Sequence, residues 1–170
     1  CVRQCGCMRE LRGVAVVAHG GGPTAVLNAS LAGVIAEAQR SSSITALLAA
    51  IHGVRGLLVE TLTEIGNLSE EELQHLCLAP GSVIGSSRME PPTDGLEQIL
   101  SMFERRNVRY FFYTGGNGSM ETALQVHGYA LQRGYDLRVV GIPKTIDNHL
   151  HGTDHSPGHA SAARFFAHAV

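Results

Sequence analysis

Gly141-Ile142-Pro143-Lys144-Thr145-Ile146-Asp147-Asn148 follows the short apolar run Leu137-Arg138-Val139-Val140. The run reads as a strand, so a lysine, a hydroxyl and a carboxylate leave a strand end together. In an open α/β sheet, ligands bind at that edge. A cation, a hydrogen-bond donor and a base within four residues suit an anionic substrate whose hydroxyl must lose a proton. The same letters also read as a polar turn, and this stretch alone does not choose between the two.

Two other stretches have the same build. Gly20-Gly21-Gly22-Pro23-Thr24 follows one apolar run, and Gly115-Gly116-Asn117-Gly118-Ser119-Met120 follows another. Each then opens a helix-like run. The first amides of a helix have no intrahelical acceptor, so a glycine turn there is a ready anion site. Three such edges, glycine-rich or cationic, describe one phosphate-binding crevice.

The chain of 170 residues is 44% hydrophobic and 16% charged, which is enough for one domain with its own core. A formal net charge of −2 and 5% aromatic residues give no footprint for nucleic acid. No apolar run approaches the roughly 20 residues of a membrane span. The first residues are polar and basic, unlike a signal peptide, so a cytoplasmic protein is expected. The sequence begins at Cys1, and Met8 stands just before the first strand. Residues 1–7 therefore read as translated upstream sequence or an expression remnant. Residues 1–13 are expected to form an N-terminal tail that need not be native, and 14–170 a phosphoryl-donor-binding α/β domain cut short at its C-terminal end. Cys1, Cys5, Cys7 and Cys77 lack paired zinc spacing and read as free thiols in a reducing compartment.

Gly13 to Ala18 reads as a buried strand and Thr24 to Gln39 as a helix with a broad apolar face. Ile44 to Ile51 is a second strand, followed by a connector through His52, a residue read as structural. Ser69 caps a helix with acids in its first turn, ending near Ala79-Pro80-Gly81. Thr93 to Arg105 is an amphipathic helix and Val108 to Tyr113 a strand. Met120 to Arg133 is the next helix, Leu137 to Ile142 the next strand, and Ser161 to His168 a last helix. Helices alternating with apolar strands indicate a Rossmann-like, mostly parallel sheet flanked by helices.

Together with Gly85-Ser86-Ser87-Arg88, the three edge stretches resemble the phosphofructokinase family, from about Val14 to the end. Gly21-Gly22-Pro23-Thr24-Ala25-Val26-Leu27-Asn28-Ala29-Ser30 looks most like the pyrophosphate-using branch and its close relatives. The resemblance implies the N-terminal part of a phosphofructokinase-like fold. It implies phosphoryl transfer to the 1-hydroxyl of fructose 6-phosphate in glycolysis, with Mg2+ as cofactor and a homo-oligomer at full length. Asp147 matches the catalytic base, and Thr145 the neighbour that helps hold the acceptor and the reacting phosphoryl group. Lys144 and Arg88 would face donor phosphates, with Gly21, Gly22, Gly116, Gly118 and Ser119 around them. Thr145, Ile146 and Asp147 would touch the sugar, and Asn117 the metal. Four histidines, His149, His151, His155 and His159, raise a metal site. However, Gly152-Thr153-Asp154-His155-Ser156-Pro157-Gly158 is ordinary family wording before a helix.

Two letters depart from the family. Many ATP-using members carry aspartate where Asn117 stands, and asparagine is a weaker ligand for a hard dication. Most members carry aspartate where His149 stands, so a carboxylate gives way to an imidazole. These departures support a second reading, a non-catalytic phosphate-binding relative. Intact Lys144, Thr145 and Asp147 argue against it. A dinucleotide-binding dehydrogenase is a poor third, since the first turn lacks Gly-x-Gly-x-x-Gly.

The donor signals conflict. Pyrophosphate-using members usually pair an aspartate at the place of Gly118 with a lysine at the place of Lys144. Bacterial ATP-using members usually have glycine at both. Glycine leaves room for the α-phosphate side of ATP, so ATP is the expected donor and pyrophosphate the alternative. The family's Met-Gly-Arg segment and later sugar-phosphate ligands are not among these residues. The 170-residue piece is therefore expected to be inactive alone.

Overall fold

The computed structural model describes residues 11–150 and 152–170. The strands are β1 (Gly13–His19), β2 (Ile44–Ala50), β3 (Leu62–Glu64), β4 (Val108–Gly115) and β5 (Arg138–Pro143). The helices are α1 (Ala25–Arg40), α2 (Val54–Leu58), α3 (Glu70–Leu78), α4 (Gly95–Arg105), α5 (Asn117–Gln132) and α6 (His159–Ala169). One five-stranded sheet has the order β3-β2-β1-β4-β5. β1 pairs in parallel with β2 and β4, and β4 in parallel with β5. Only β3 runs antiparallel, on β2. The mostly parallel α/β sheet expected from the sequence is the observed one.

β1 is central because both its faces are covered. Ala15, Val16, Val17 and Ala18 are fully buried, and a parallel strand covered on both sides reads as continuous apolar sequence. Alternate side chains feed opposite layers. Val16 and Ala18 join Leu57, Ile99, Phe103 and Val126 in the layer of α2, α4 and α5. Ala15 and Val17 join Leu31, Ile35 and Leu47 in the layer of α1. Phe103, Phe111 and Tyr113 form an aromatic column through the first layer, with adjacent centroids 5.3 and 5.6 Å apart.

Several boundaries differ from the sequence reading. The connector after β2 contains the short helix α2, and β3 follows it. β4 continues through Thr114 and Gly115, and α5 starts at Asn117 instead of Met120. The third glycine stretch is therefore a strand end and a first helical turn, with Gly116 alone between them. Ser69 caps α3 as expected, in a full capping box with Glu72. Cys77 is a free, exposed thiol, while Cys1, Cys5, Cys7 and His151 lie outside the described residues.

β5 is an outer strand, with Val140 44% exposed. α6 carries Phe165 and Phe166 outward and buries no residue. No helix among the described residues is long and apolar enough to cross a membrane.

Candidate functional site

The carboxyl ends of β1, β4 and β5 stand side by side because all three strands run parallel. Their loops enclose a cavity of about 530 Å³. Gly21 and Gly22 reach it from the β1 loop, and Arg88 from the segment before α4. Gly116, Asn117, Gly118 and Ser119 reach it from the start of α5, and Lys144, Thr145, Ile146 and Asp147 from the β5 loop. Every residue singled out from the sequence for binding or chemistry thus borders one space.

Ser119 is the point where two loops close. It is 8% exposed. A Cβ at Gly20, or one at Gly115, would stand 2.2 Å from Ser119 Oγ, so neither position admits a side chain. Tyr113 hydrogen-bonds Ser119, and its burial raises the phenol's pKa. The glycines flanking the cavity are there for close approach of backbone to side chain.

Lys144 ties the third loop to the first. Its amide donates to Gly115 O at 2.7 Å, and its Nζ donates to Gly22 O. The side chain is 6% exposed. Burial lowers the ammonium's pKa, Asp147 opposes that shift, and Arg88 adds to it. The N-terminal amides of α5 add partial positive charge on the same side. A ligand with several anionic oxygens fits this field, and Asp147 supplies the carboxylate across from it.

The Arg88 segment is fixed from behind. Gly21 N–H donates to Ser87 O at 3.0 Å, and Ser86 Oγ donates to Gly21 O at 2.5 Å. Farther back, Asn28 Oδ1 accepts from Val83 N–H at 3.0 Å while its Nδ2 donates to Ala79 O at 2.9 Å. His19 Nδ1 lies 2.8 Å from Ser82 Oγ, which itself donates to Gly85 O at 2.9 Å. Ser82 has one hydrogen and spends it on Gly85, so His19 Nδ1 must be the donor. Burial lowers the His19 pKa to about 4.

Thr145 is 5% exposed and anchors the turn that carries Asp147. Asp147 N–H donates to Thr145 Oγ1 at 3.1 Å, and Thr145 Oγ1 donates to Asp147 Oδ2 at 3.3 Å. Asn148, at φ 57°, accepts from Ser156 N–H at 2.7 Å and donates to Asp154 O at 3.2 Å. His159 Nδ1 lies 2.9 Å from Ile146 O. The segment before α6 therefore braces the turn. Among the described residues no group of three His, Cys, Asp or Glu converges.

Sequence reasoning passes over Asn28, His19, Ser82 and Tyr113. Asn28 carried a signal: it lies between Leu27 and Leu31 on the apolar stripe of α1, where a polar residue needs a partner.

Three loops at the carboxyl edge of an open, mostly parallel sheet define an α/β domain with a cationic, amide-lined cavity beside a carboxylate. The chain belongs to the phosphofructokinase family, whose model, described as Phosphofructokinase, matches residues 14–170. It is 40% identical over 158 residues to the pyrophosphate–fructose 6-phosphate 1-phosphotransferase of Rhodospirillum rubrum, covering 93% of this chain and 39% of that protein. It is 34% identical over 118 residues to chloroplastic ATP-dependent 6-phosphofructokinase 5 of Arabidopsis thaliana, covering 69% of this chain and 21% of that protein. The crystal structure of a pyrophosphate-dependent phosphofructokinase from Nitrosospira multiformis superposes with a TM-score of 0.84 at 36% identity. That match covers 92% of this chain and 40% of the other. The chain therefore spans about two-fifths of the length of these two bacterial relatives.

Proposed function

We propose that residues 14–170 are the phosphoryl-donor-binding domain of a 6-phosphofructokinase, with the base of the reaction included. The observation that carries this reading is the meeting of Lys144, Thr145 and Asp147 with Gly22, Arg88 and the start of α5 around one cavity. Asp147 takes the proton of the 1-hydroxyl of fructose 6-phosphate. The freed oxygen forms its bond to the terminal phosphorus of the donor as the bond to the leaving phosphate breaks. Lys144 and Arg88 offset the charge gathering on the transferred group, and the α5 amides hold the donor in line. Such catalysis is positioning and electrostatics.

A magnesium ion held by the protein alone does not fit, because no carboxylate cage exists among the described residues. An ion carried by the donor's phosphates does fit, since Mg2+ is usually shared between substrate phosphates and few protein oxygens. Asn117, exposed at the first position of α5, would give it one neutral oxygen. Bound there, magnesium would lessen the charge of the donor's phosphates.

For the donor we favour ATP. A Cβ at Gly118 meets nothing within 4 Å, so the cavity is open beside it for a donor larger than pyrophosphate. The pyrophosphate reading has its own support in the names of the Rhodospirillum and Nitrosospira relatives. A cytoplasmic, homo-oligomeric full-length enzyme goes with either. The test is a coupled assay of the full-length protein for fructose 1,6-bisphosphate, run separately with ATP and with pyrophosphate. Formation with neither would leave the non-catalytic relative as the better reading.

A further inference from the structure

His149 lies in the β5 loop two residues past Asp147, and the geometry shows what its imidazole touches. Its Nδ1 lies 3.3 Å from Thr145 Oγ1 and 3.9 Å from Asp147 Oδ2. Thr145 Oγ1 already accepts from Asp147 N–H and already donates to Asp147 Oδ2. A hydroxyl has one hydrogen and two lone pairs, so one lone pair is left for His149. With a hydrogen on Nδ1, the imidazole fills that lone pair. The only hydrogen of Thr145 then stays on the carboxylate. With Nδ1 bare, the imidazole would compete with Asp147 for that hydrogen and would set a lone pair against the carboxylate oxygen.

We infer that His149 is a positioning residue for the base: its Nδ1–H donates to Thr145 Oγ1, and Thr145 in turn orients the Asp147 carboxylate toward the cavity. An aspartate in the same place could not donate and would add a second negative charge beside Asp147. Lys144, Arg88 and Glu90 border the same cavity, and His159 of α6 holds Ile146 O from the other side. Among the described residues none of these hydrogen-bonds Thr145 Oγ1, so the second lone pair falls to His149. The kinetic consequence rests on the phosphofructokinase reading; the hydrogen-bond chain does not.

The experiment has two arms, both on the full-length protein. Histidine-selective 15N NMR reads the tautomer, with the His149 signal assigned by its loss in His149→Asn. A protonated Nδ1 whose signal moves in Thr145→Val is expected, and a bare Nδ1 would overturn the inference whether or not the protein is active. In the kinetic arm, His149→Phe should lower kcat roughly tenfold, a part of what a well-placed base contributes. KM for the donor should stay within about twofold, because the donor ligands are untouched. His149→Asn, whose amide nitrogen falls near the place of Nδ1, should keep most of kcat. His149→Asp should fall with Phe, and melting curves will show that each variant is folded. Activity of the aspartate variant equal to or above the parent would overturn the inference, as would an unchanged kcat in the phenylalanine variant. If the parent protein forms no fructose 1,6-bisphosphate, the functional reading fails while the NMR arm still decides this one.

Discussion

Asn28 in α1 grips Val83 across 55 residues of sequence, its Oδ1 accepting the Val83 amide at 3.0 Å. The same side chain donates to Ala79 O at 2.9 Å and is fully buried. α1 is the helix that follows the Gly21-Gly22 loop, and Val83 lies five residues before Arg88. One amide therefore sets two cavity-lining segments relative to each other.

Asn28→Ala should cost about 1 kcal/mol of stability, because it removes the buried side chain that pairs with the Val83 amide and the Ala79 carbonyl. It should also raise KM for the donor more than KM for the sugar, since only the donor side loses its brace. Denaturant titration and two-substrate kinetics of the full-length protein check both. An equal rise in the two KM values would make Asn28 a core residue without a role in placing Arg88.

His19 makes a prediction with a sign. Its folded pKa, about 4, lies below the ordinary histidine value of 6.5, so the folded state prefers the neutral ring. Stability from this source is complete above pH 6.5 and is lost as pH falls from there toward 4. The full penalty is on the order of 3 kcal/mol. Its Nε2 is buried without a partner, so the added proton finds no acceptor. Glu72, whose pKa is lowered by the Ser69 backbone and side-chain bonds, adds loss of the same sign only below about its ordinary range. Chemical denaturation at pH 7.5 and pH 5 isolates the histidine. His19→Asn keeps a donor toward Ser82 and removes the titrating group, so it should flatten that difference. A parent protein equally stable at both values would rule the mechanism out.

Much of this architecture was legible because the strands are covered on both faces. Four consecutive buried residues in β1 announce a central parallel strand in the letters themselves. β3 was not legible, since Leu62, Thr63 and Glu64 carry no burial pattern and owe their strand to pairing with Leu48, Ala49 and Ala50. The start of α5 was hidden by glycine. Gly116-Asn117-Gly118 reads as a turn by propensity, yet a first helical turn needs no intrahelical donors and tolerates what a helix interior does not. In the site, residues with distinctive letters were legible and residues that only hold others were not. Lys144 and Asp147 announce chemistry, whereas Ser82 and Tyr113 gain meaning only from partners 63 and 6 residues away, His19 and Ser119.

Asp147→Asn in the full-length protein should leave folding and donor affinity near the parent values and lower turnover by roughly a hundredfold or more. The amide keeps the side chain's shape and can still accept from Thr145. It cannot take the proton of a sugar hydroxyl. Turnover and donor affinity measured side by side check this, and near-normal turnover would remove Asp147 from the role of base.

The proposed choice of ATP as donor turns on Gly118. It is exposed in the first turn of α5, it borders the cavity, and a Cβ there meets no other atom within 4 Å. A side chain at this position therefore enters open space at the cavity rim without disturbing the protein. Gly118→Asp should even favour the helix, because a carboxylate in the first turn complements the dipole and glycine is a poor helix former. Any loss of donor use then reports on the cavity and not on unfolding. A carboxylate there would repel and crowd the α-phosphate side of ATP, while pyrophosphate, which has nothing beyond its second phosphate, would be less affected. Lys144 can meet the terminal phosphates of either donor, so it does not choose between them. The parent protein is expected to use ATP better than pyrophosphate, and Gly118→Asp to lower kcat/KM for ATP more than for pyrophosphate. Measuring kcat/KM with both donors in both proteins decides it. A parent that strongly prefers pyrophosphate, or an aspartate variant with unchanged ATP use, would show that the open space at Gly118 does not set the donor.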